Sequence, residues 1–209
     1  AHAACLPVAY GTSHRMLVTR GELREGEKIL ILGASGGVGT SCVLLAKLLG
    51  AYVIAAAGSD EKCEKLRALG ADETVNYATT GFREHCRETT GGMMRGGGYE
   101  VVVNFTGGET WADSMRCVKR RGRLLTCGAT AGFDPQTDLR FLWTGELDVR
   151  GSNGWQRADL ERLIELVAGG RLTPVIDSEL PLSRGIEACR QLEERRFFGK
   201  IVVRPWQDG

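Results

Sequence analysis

The residues whose types and spacing point most directly to chemistry are the glycines of Gly33-Ala34-Ser35-Gly36-Gly37-Val38-Gly39. An apolar run of strand length, Ile29–Leu32, leads into a turn too tight for side chains, and an apolar helical pattern follows from Thr40 to Leu49. Glycines in such a turn let backbone N–H groups approach a phosphate, and the N-terminus of the next helix adds about half a positive charge. Alone, a glycine-rich turn is a weak signal. Set between a strand and a helix, it meets the context of a dinucleotide-binding fingerprint, with Ser35, Gly36, Gly37 and Val38 against the pyrophosphate. The competing reading is a strand-to-helix turn that binds nothing.

The next strand signal, Ala51–Ala57, ends in Gly58-Ser59-Asp60-Glu61-Lys62. NAD-binding versions of the fingerprint place an acid for the ribose 2′-hydroxyl about 20 residues past the glycines. This chain has Gly58 there. A small residue, a hydroxyl and a lysine suit a 2′-phosphate better: Ser59 donates a hydrogen bond and Lys62 neutralises charge. Ser59 also reads as an N-cap, with Asp60 and Glu61 complementing the helix dipole. Asp60 remains within reach of a ribose hydroxyl, and Lys62 reads otherwise as a solvated surface lysine. The balance favours NADP(H) over NAD(H).

The 209 residues suffice for one α/β domain, and their formal net charge of +1 offers no field to attract nucleic acid or an anionic membrane surface. No apolar stretch approaches the roughly 20 residues needed to span a bilayer. The start, Ala1-His2-Ala3-Ala4-Cys5-Leu6-Pro7, has no basic region or long apolar core, and it lacks an initiator methionine, the mark of a fragment or processed chain. Seven cysteines, with no C-x-x-C pair, argue against a disulfide framework or a four-cysteine zinc lobe and for reduced thiols in the cytoplasm.

Strand and helix signals alternate, which predicts a doubly wound, six-stranded parallel sheet of the Rossmann type with helices on both faces. Strands are expected near 28–32, 52–56, 74–76, 100–105, 123–126 and 147–150, and helices near 37–49, 60–69, 81–89, 109–118 and 156–168. The glycine-dense stretch Gly91–Gly98 reads as a mobile loop, with Met93 and Met94 as filler. A tail over 172–209 reads as strand, helix and strand outside the sheet. Its helix is expected over Ser183–Arg195, capped by Ser183, with Ile186, Cys189 and Leu192 on one face.

These residues resemble the medium-chain dehydrogenase/reductase superfamily, in its quinone oxidoreductase-like branch. The resemblance spans nearly the whole chain. It rests on Leu6-Pro7-Val8-Ala9-Tyr10-Gly11-Thr12-Ser13, the turn Gly33 to Gly39, Leu69-Gly70-Ala71-Asp72, Thr106-Gly107-Gly108, Gly128, Gly151-Ser152, and Gly199-Lys200-Ile201-Val202-Val203. It implies hydride transfer with NAD(P)(H) over a single cofactor-binding domain, 1–209, with 1–27 leading in and 172–209 returning to an N-terminal catalytic domain. It implies that Lys62, Tyr77 and Arg195, with Ser59, hold the 2′-phosphate. Thr12 then lies near the nicotinamide, and the turns at Thr106, Gly128-Ala129 and Ser152-Asn153 run along the cofactor. It also implies a homodimer through the edge of the sixth strand.

The zinc-ligating cysteine of alcohol dehydrogenases in this superfamily falls at or beside Ala9, four residues from Cys5. His2, His14 and His85 show no ligand spacing, so no zinc is expected and each histidine reads as surface or packing. No residue type or spacing singles out a general acid. The substrate expected is a quinone, an enone or an enoyl thioester. An NAD(P)-dependent alcohol dehydrogenase and a nucleotide-binding module without turnover remain open. A methyltransferase shares the first glycine turn but leaves Lys62, Tyr77 and Arg195 unexplained.

Overall fold

Strands at Lys28–Ile31 (β1), Tyr52–Ala57 (β2), Glu73–Asn76 (β3), Tyr99–Val103 (β4), Val118–Thr126 (β5) and Asp148–Gly151 (β6) form one sheet in the computed structural model, the apolar runs of β1, β2 and β4 at its centre. The structure describes residues 1–206; 207–209, the end of the tail, lie outside the described residues. The strand order is β3-β2-β1-β4-β5-β6, and every pairing is parallel. Lys28 lies beside Tyr52 on one flank of β1, and Ile29 beside Val101 on the other. The order reverses between β1 and β4, which opens a crevice beyond their carboxyl ends.

Side chains of alternate parity build two cores. Ile29, Ile31, Val53, Ala55 and Val103 point to one face, covered by the N-terminal helical run, α3 (Gly37–Leu48), α4 (Asp60–Ala68) and α8 (Arg157–Ala168). Leu30, Leu32, Ile54, Val102 and Leu124 point to the other, covered by α5 (Phe82–Thr90), α6 (Thr110–Cys117) and α7 (Leu139–Gly145). Burial on both faces is why these strands read as continuous apolar runs.

The structure departs from the sequence reading in four places. First, the lead-in is helical from 2 to 20: α1 (His2–Cys5) and α2 (Gly11–His14) alternate with π-helical turns at Leu6–Tyr10 and Arg15–Arg20. The wider turns change carbonyl pairing, and Ala9 O accepts from both Ser13 Oγ (2.8 Å) and Ser41 Oγ (3.2 Å), which clamps the run onto α3. Second, α7 was not expected; its seven residues are too few to show a period, and Asp138 caps it. Third, the loop Gly91–Gly98 is tied down rather than mobile. Thr90 Oγ1 accepts from Gly92 N (3.1 Å) and Gly98 N (2.9 Å), and Met93 is buried against Gly145. Fourth, the tail helix α9 spans Gly185–Glu193 with Arg184 at its N-cap; Ser183 lies in a 3-10 turn.

The rest of the tail matches the reading. β7 (Ile176–Pro181) and β8 (Lys200–Arg204) pair in a separate parallel sheet. On α9 only Ala188 is buried, while Ile186, Cys189 and Leu192 face outward.

Candidate cofactor site

The first turn of α3 carries the candidate phosphate cradle. Gly36 is the N-cap and has no side-chain hydrogen bond to offer, so the first N–H groups of the helix lack a side-chain acceptor. Gly33 adopts φ +62°. A Cβ on Gly39 would lie 2.3 Å from Gly33 O and 2.5 Å from Ala34 Cα, so helix and turn meet backbone to backbone. A Cβ on Gly37 would lie 2.6 Å from Cδ of Lys200. The stem of Lys200 thus runs over the cradle, and Gly199 N donates to Ser35 O (2.9 Å) beside it. Sequence reading used Lys200 only as part of a motif; its place over the cradle comes from β8, far along the chain.

The proposed 2′-phosphate residues gather at the carboxyl end of β2. Ser59 caps α4, its Oγ accepting from Lys62 N at 3.3 Å. Lys62 Nζ donates to the carbonyl of Arg195 at 2.7 Å, and Arg195 holds φ +55°, a strained conformation for a residue with a side chain. Burial lowers the Lys62 pKa, and the charges of Lys65 and Arg195 lower it further against the opposing pull of Glu61. The Tyr77 ring lies on Gly58: a Cβ there would be 2.9 Å from the tyrosine hydroxyl. Gly58 is therefore the residue that lets Tyr77 in. Asp60, the alternative ribose ligand, instead accepts from Asn76 Nδ2 at 2.8 Å.

At the other end of the crevice, Thr126–Ala129 and Gly151–Asn153 line a cavity of about 440 Å³. Ser152 is buried there, and its Oγ has no hydrogen-bond partner within the protein. Its N–H donates to Thr126 O at 2.8 Å, which fixes the turn. Thr106 belongs to a turn shaped by buried Asn104, whose Oδ1 accepts from the N–H groups of Thr106 and Gly107, both at 2.9 Å. Asn104 Nδ2 donates to Thr110 and Ser114, so its amide is saturated. Thr12 stands on α2, next to Gly11, which is covered by the indole of Trp155.

Two histidines are paired with acids. His14 is buried, with Nδ1 2.8 Å from Asp159 Oδ1, and Asp159 also accepts from Thr19 Oγ1 (3.3 Å) and Gln156 N (2.8 Å). Burial would raise the Asp159 pKa, but its hydrogen bonds from Gln156 and His14 and the charges of His14 and Arg15 hold it below the usual carboxylate range. This network joins the lead-in helix to α8. His85 Nε2 lies 2.8 Å from Glu73 Oε2. Among the described residues, no three His, Cys, Asp or Glu side chains come together as a metal donor set.

The family described as zinc-binding dehydrogenase matches residues 37–169. Quinone oxidoreductase-like protein 2 of Bos taurus is 30% identical over 212 residues, covering 96% of this chain and 59% of that protein. The crystal structure of an NAD-dependent alcohol dehydrogenase superposes with a TM-score of 0.89 at 35% identity, over 100% of this chain and 59% of that one. A 2-octenoyl-CoA carboxylase reductase, solved with NADP and 2-octenoyl-CoA, superposes with a TM-score of 0.89 at 29% identity, over 99% and 51%. The chain thus spans little more than half the length of these relatives. With the sheet order, the glycine cradle and these matches, the chain belongs to the zinc-binding dehydrogenase family of the medium-chain dehydrogenase/reductase superfamily, as its C-terminal cofactor-binding domain.

Proposed function

We propose that this chain is the NADPH-binding half of an oxidoreductase that reduces a quinone, an enone or an enoyl thioester. The observation that carries the reading is the cluster at the end of β2: Ser59, Lys62, Tyr77 and the Arg195 segment meet where an NAD-specific site would hold an acid. The Ser35–Val38 turn and first turn of α3 hold the pyrophosphate, and the turns at Thr106, Gly128, Ala129 and Ser152, with Thr12, line the nicotinamide end. Bound there, the dihydronicotinamide supplies the hydride. The protein's part is to orient it: the turn that holds Ser152 lines the cavity, and its buried hydroxyl has no partner within the protein. Much of the substrate pocket belongs to the N-terminal domain of the whole enzyme, which works in the cytoplasm as a homodimer in this reading.

Calorimetric titration of the chain with NADPH and with NADH tests it. NADPH is expected to bind more tightly, and Lys62→Ala to remove the difference by weakening NADPH roughly 10- to 100-fold, as expected for a lost charge-assisted hydrogen bond. Equal affinity for both nucleotides in the native chain sinks the NADPH assignment and favours alcohol oxidation with NAD. No binding of either leaves a nucleotide-free structural domain.

A further inference from the structure

The glycine-dense loop Gly91–Gly98, which the cofactor reading leaves unused, forms one wall of a cavity of about 550 Å³, within the ~300–1,000 Å³ range of small-molecule sites. The cavity lies against α5, α6 and α7, on the sheet face opposite the lead-in helix and α8, and shares no residue with the cofactor crevice. Its walls have two characters. Met93 and Phe141 supply an apolar surface, and Met93 is itself buried. Arg83, Arg87, Arg95 and Arg116 supply four cations against one acid, Glu88, and Arg87 is paired with Glu84 at 3.0 Å, so the anion-binding share falls to the other three.

Helix ends explain only part of this charge. Arg87 and Arg116 stand in the last turns of α5 and α6, where a cation complements the dipole. Arg83 stands in the first turn of α5, the unfavourable end, and shares one carboxylate with Arg116: Asp113 lies 3.2 Å from the first and 3.0 Å from the second. Arg95 has no ion-pair partner among the described residues, although it sits on the loop that Thr90 fastens in place. The Arg116 guanidinium also lies 5.0 Å from the centre of the Phe141 ring, so a cation and an aromatic face are presented together. Gly91 and Gly92, at φ +83° and +70°, turn the loop and leave only backbone at that part of the wall, beside the side chains of Met93, Met94 and Arg95.

The geometry points to a second binding site for an organic acid: a carboxylate held by the arginine group, chiefly Arg95 and Arg83, with an apolar body against Met93 and Phe141. Arginine presents its N–H groups as a planar fork matched to a carboxylate, and the surrounding apolar walls distinguish a carboxylic acid from a bare inorganic anion.

Isothermal titration of the chain with sodium octanoate tests this, with 1-octanol and sodium sulfate as separate probes. One saturating site for octanoate is expected, with octanol and sulfate each about tenfold weaker or more, because each lacks one half of the recognition. Arg83→Gln with Arg95→Gln is expected to weaken octanoate by about tenfold or more while circular dichroism melting is unchanged. Should that double variant melt early, Met94→Glu serves instead: it changes an exposed loop residue and sets a like charge at the cavity. Non-saturating octanoate binding, sulfate binding as tightly as octanoate, folded variants that bind like the native chain, or displacement of octanoate by NADPH would each overturn the assignment.

Discussion

In the proposed cofactor site two lysines hold different places, and substitutions separate their roles. Lys62 stands at the proposed 2′-phosphate, whereas Lys200 runs over Gly37 in the pyrophosphate cradle. Lys200→Ala is therefore expected to weaken NADPH and NADH alike by roughly tenfold, and Lys62→Ala to weaken NADPH alone. A calorimetric comparison checks this, and an effect of Lys200→Ala on one nucleotide only contradicts it. Asp159 acts on stability. Its folded pKa is depressed, so its contribution is present above the ordinary carboxylate pKa and lost as pH falls through the lowered value. Asp159→Ala leaves His14 and Arg15 without their carboxylate and is expected to cost about 3–5 kcal/mol in urea denaturation at pH 7. The deficit should shrink below about pH 4; a pH-independent deficit would mean that the ionised carboxylate is not what stabilises the fold here. The glycines, Ser59 and Lys62 were legible because their signals are local. The His14–Asp159 contact was not: 145 residues separate the partners, and no local pattern announces the pair.

The elements follow from periodicity wherever periodicity exists. The six strands and five of the helices emerged, most of them near their observed bounds, because apolar runs and amphipathic repeats differ in period; β5 starts at Val118 rather than near 123, where Lys119-Arg120-Arg121 hide the strand signal. The lead-in helix did not, since alternating π and α turns give no constant repeat, and its fold rests on Ala9 O taking two hydroxyls. The loop Gly91–Gly98 misled for another reason. Its glycines suggest freedom, but Thr90 Oγ1 accepts two of their N–H groups and donates to Cys86 O at 2.6 Å. Thr90→Val preserves shape and leaves both N–H groups without that acceptor. The expected loss is about 1–3 kcal/mol of stability, with faster hydrogen exchange at Gly92 and Gly98. Unchanged exchange at both glycines would mean the loop is held by its backbone bonds alone, such as Gly97 N to Gly92 O.

At the scale of the molecule, both ends of the sheet and the tail raise the question of what completes the domain. Ile186, Cys189 and Leu192 form an outward stripe on the tail helix, and that the tail belongs against a second domain is a proposal that rests on the resemblance alone. The β6 edge is different, because its own residues argue for a partner. β6 pairs with β5 alone and leaves its other edge open, a row of backbone donors and acceptors that folded proteins seldom leave bare. Val149, at its middle, is exposed, as are Trp143 and Leu139 on the preceding helix. Asp148 and Arg150 flank Val149 with opposite charges and, within one chain, pair with each other at 2.9 Å, a pairing the dimer would exchange for the same one across the axis. If two copies pair antiparallel about a two-fold axis at Val149, Asp148 of each lies opposite Arg150 of the other, and the arrangement is self-complementary as a two-fold contact requires. Sedimentation equilibrium is expected to give a dimer for the native chain. Val149→Lys, which sets like charges together on the axis, is expected to give a monomer with an unchanged circular dichroism spectrum. A native chain that stays monomeric at micromolar concentration removes the β6 edge as the dimer contact; a Val149→Lys variant that stays dimeric moves the contact elsewhere on the surface.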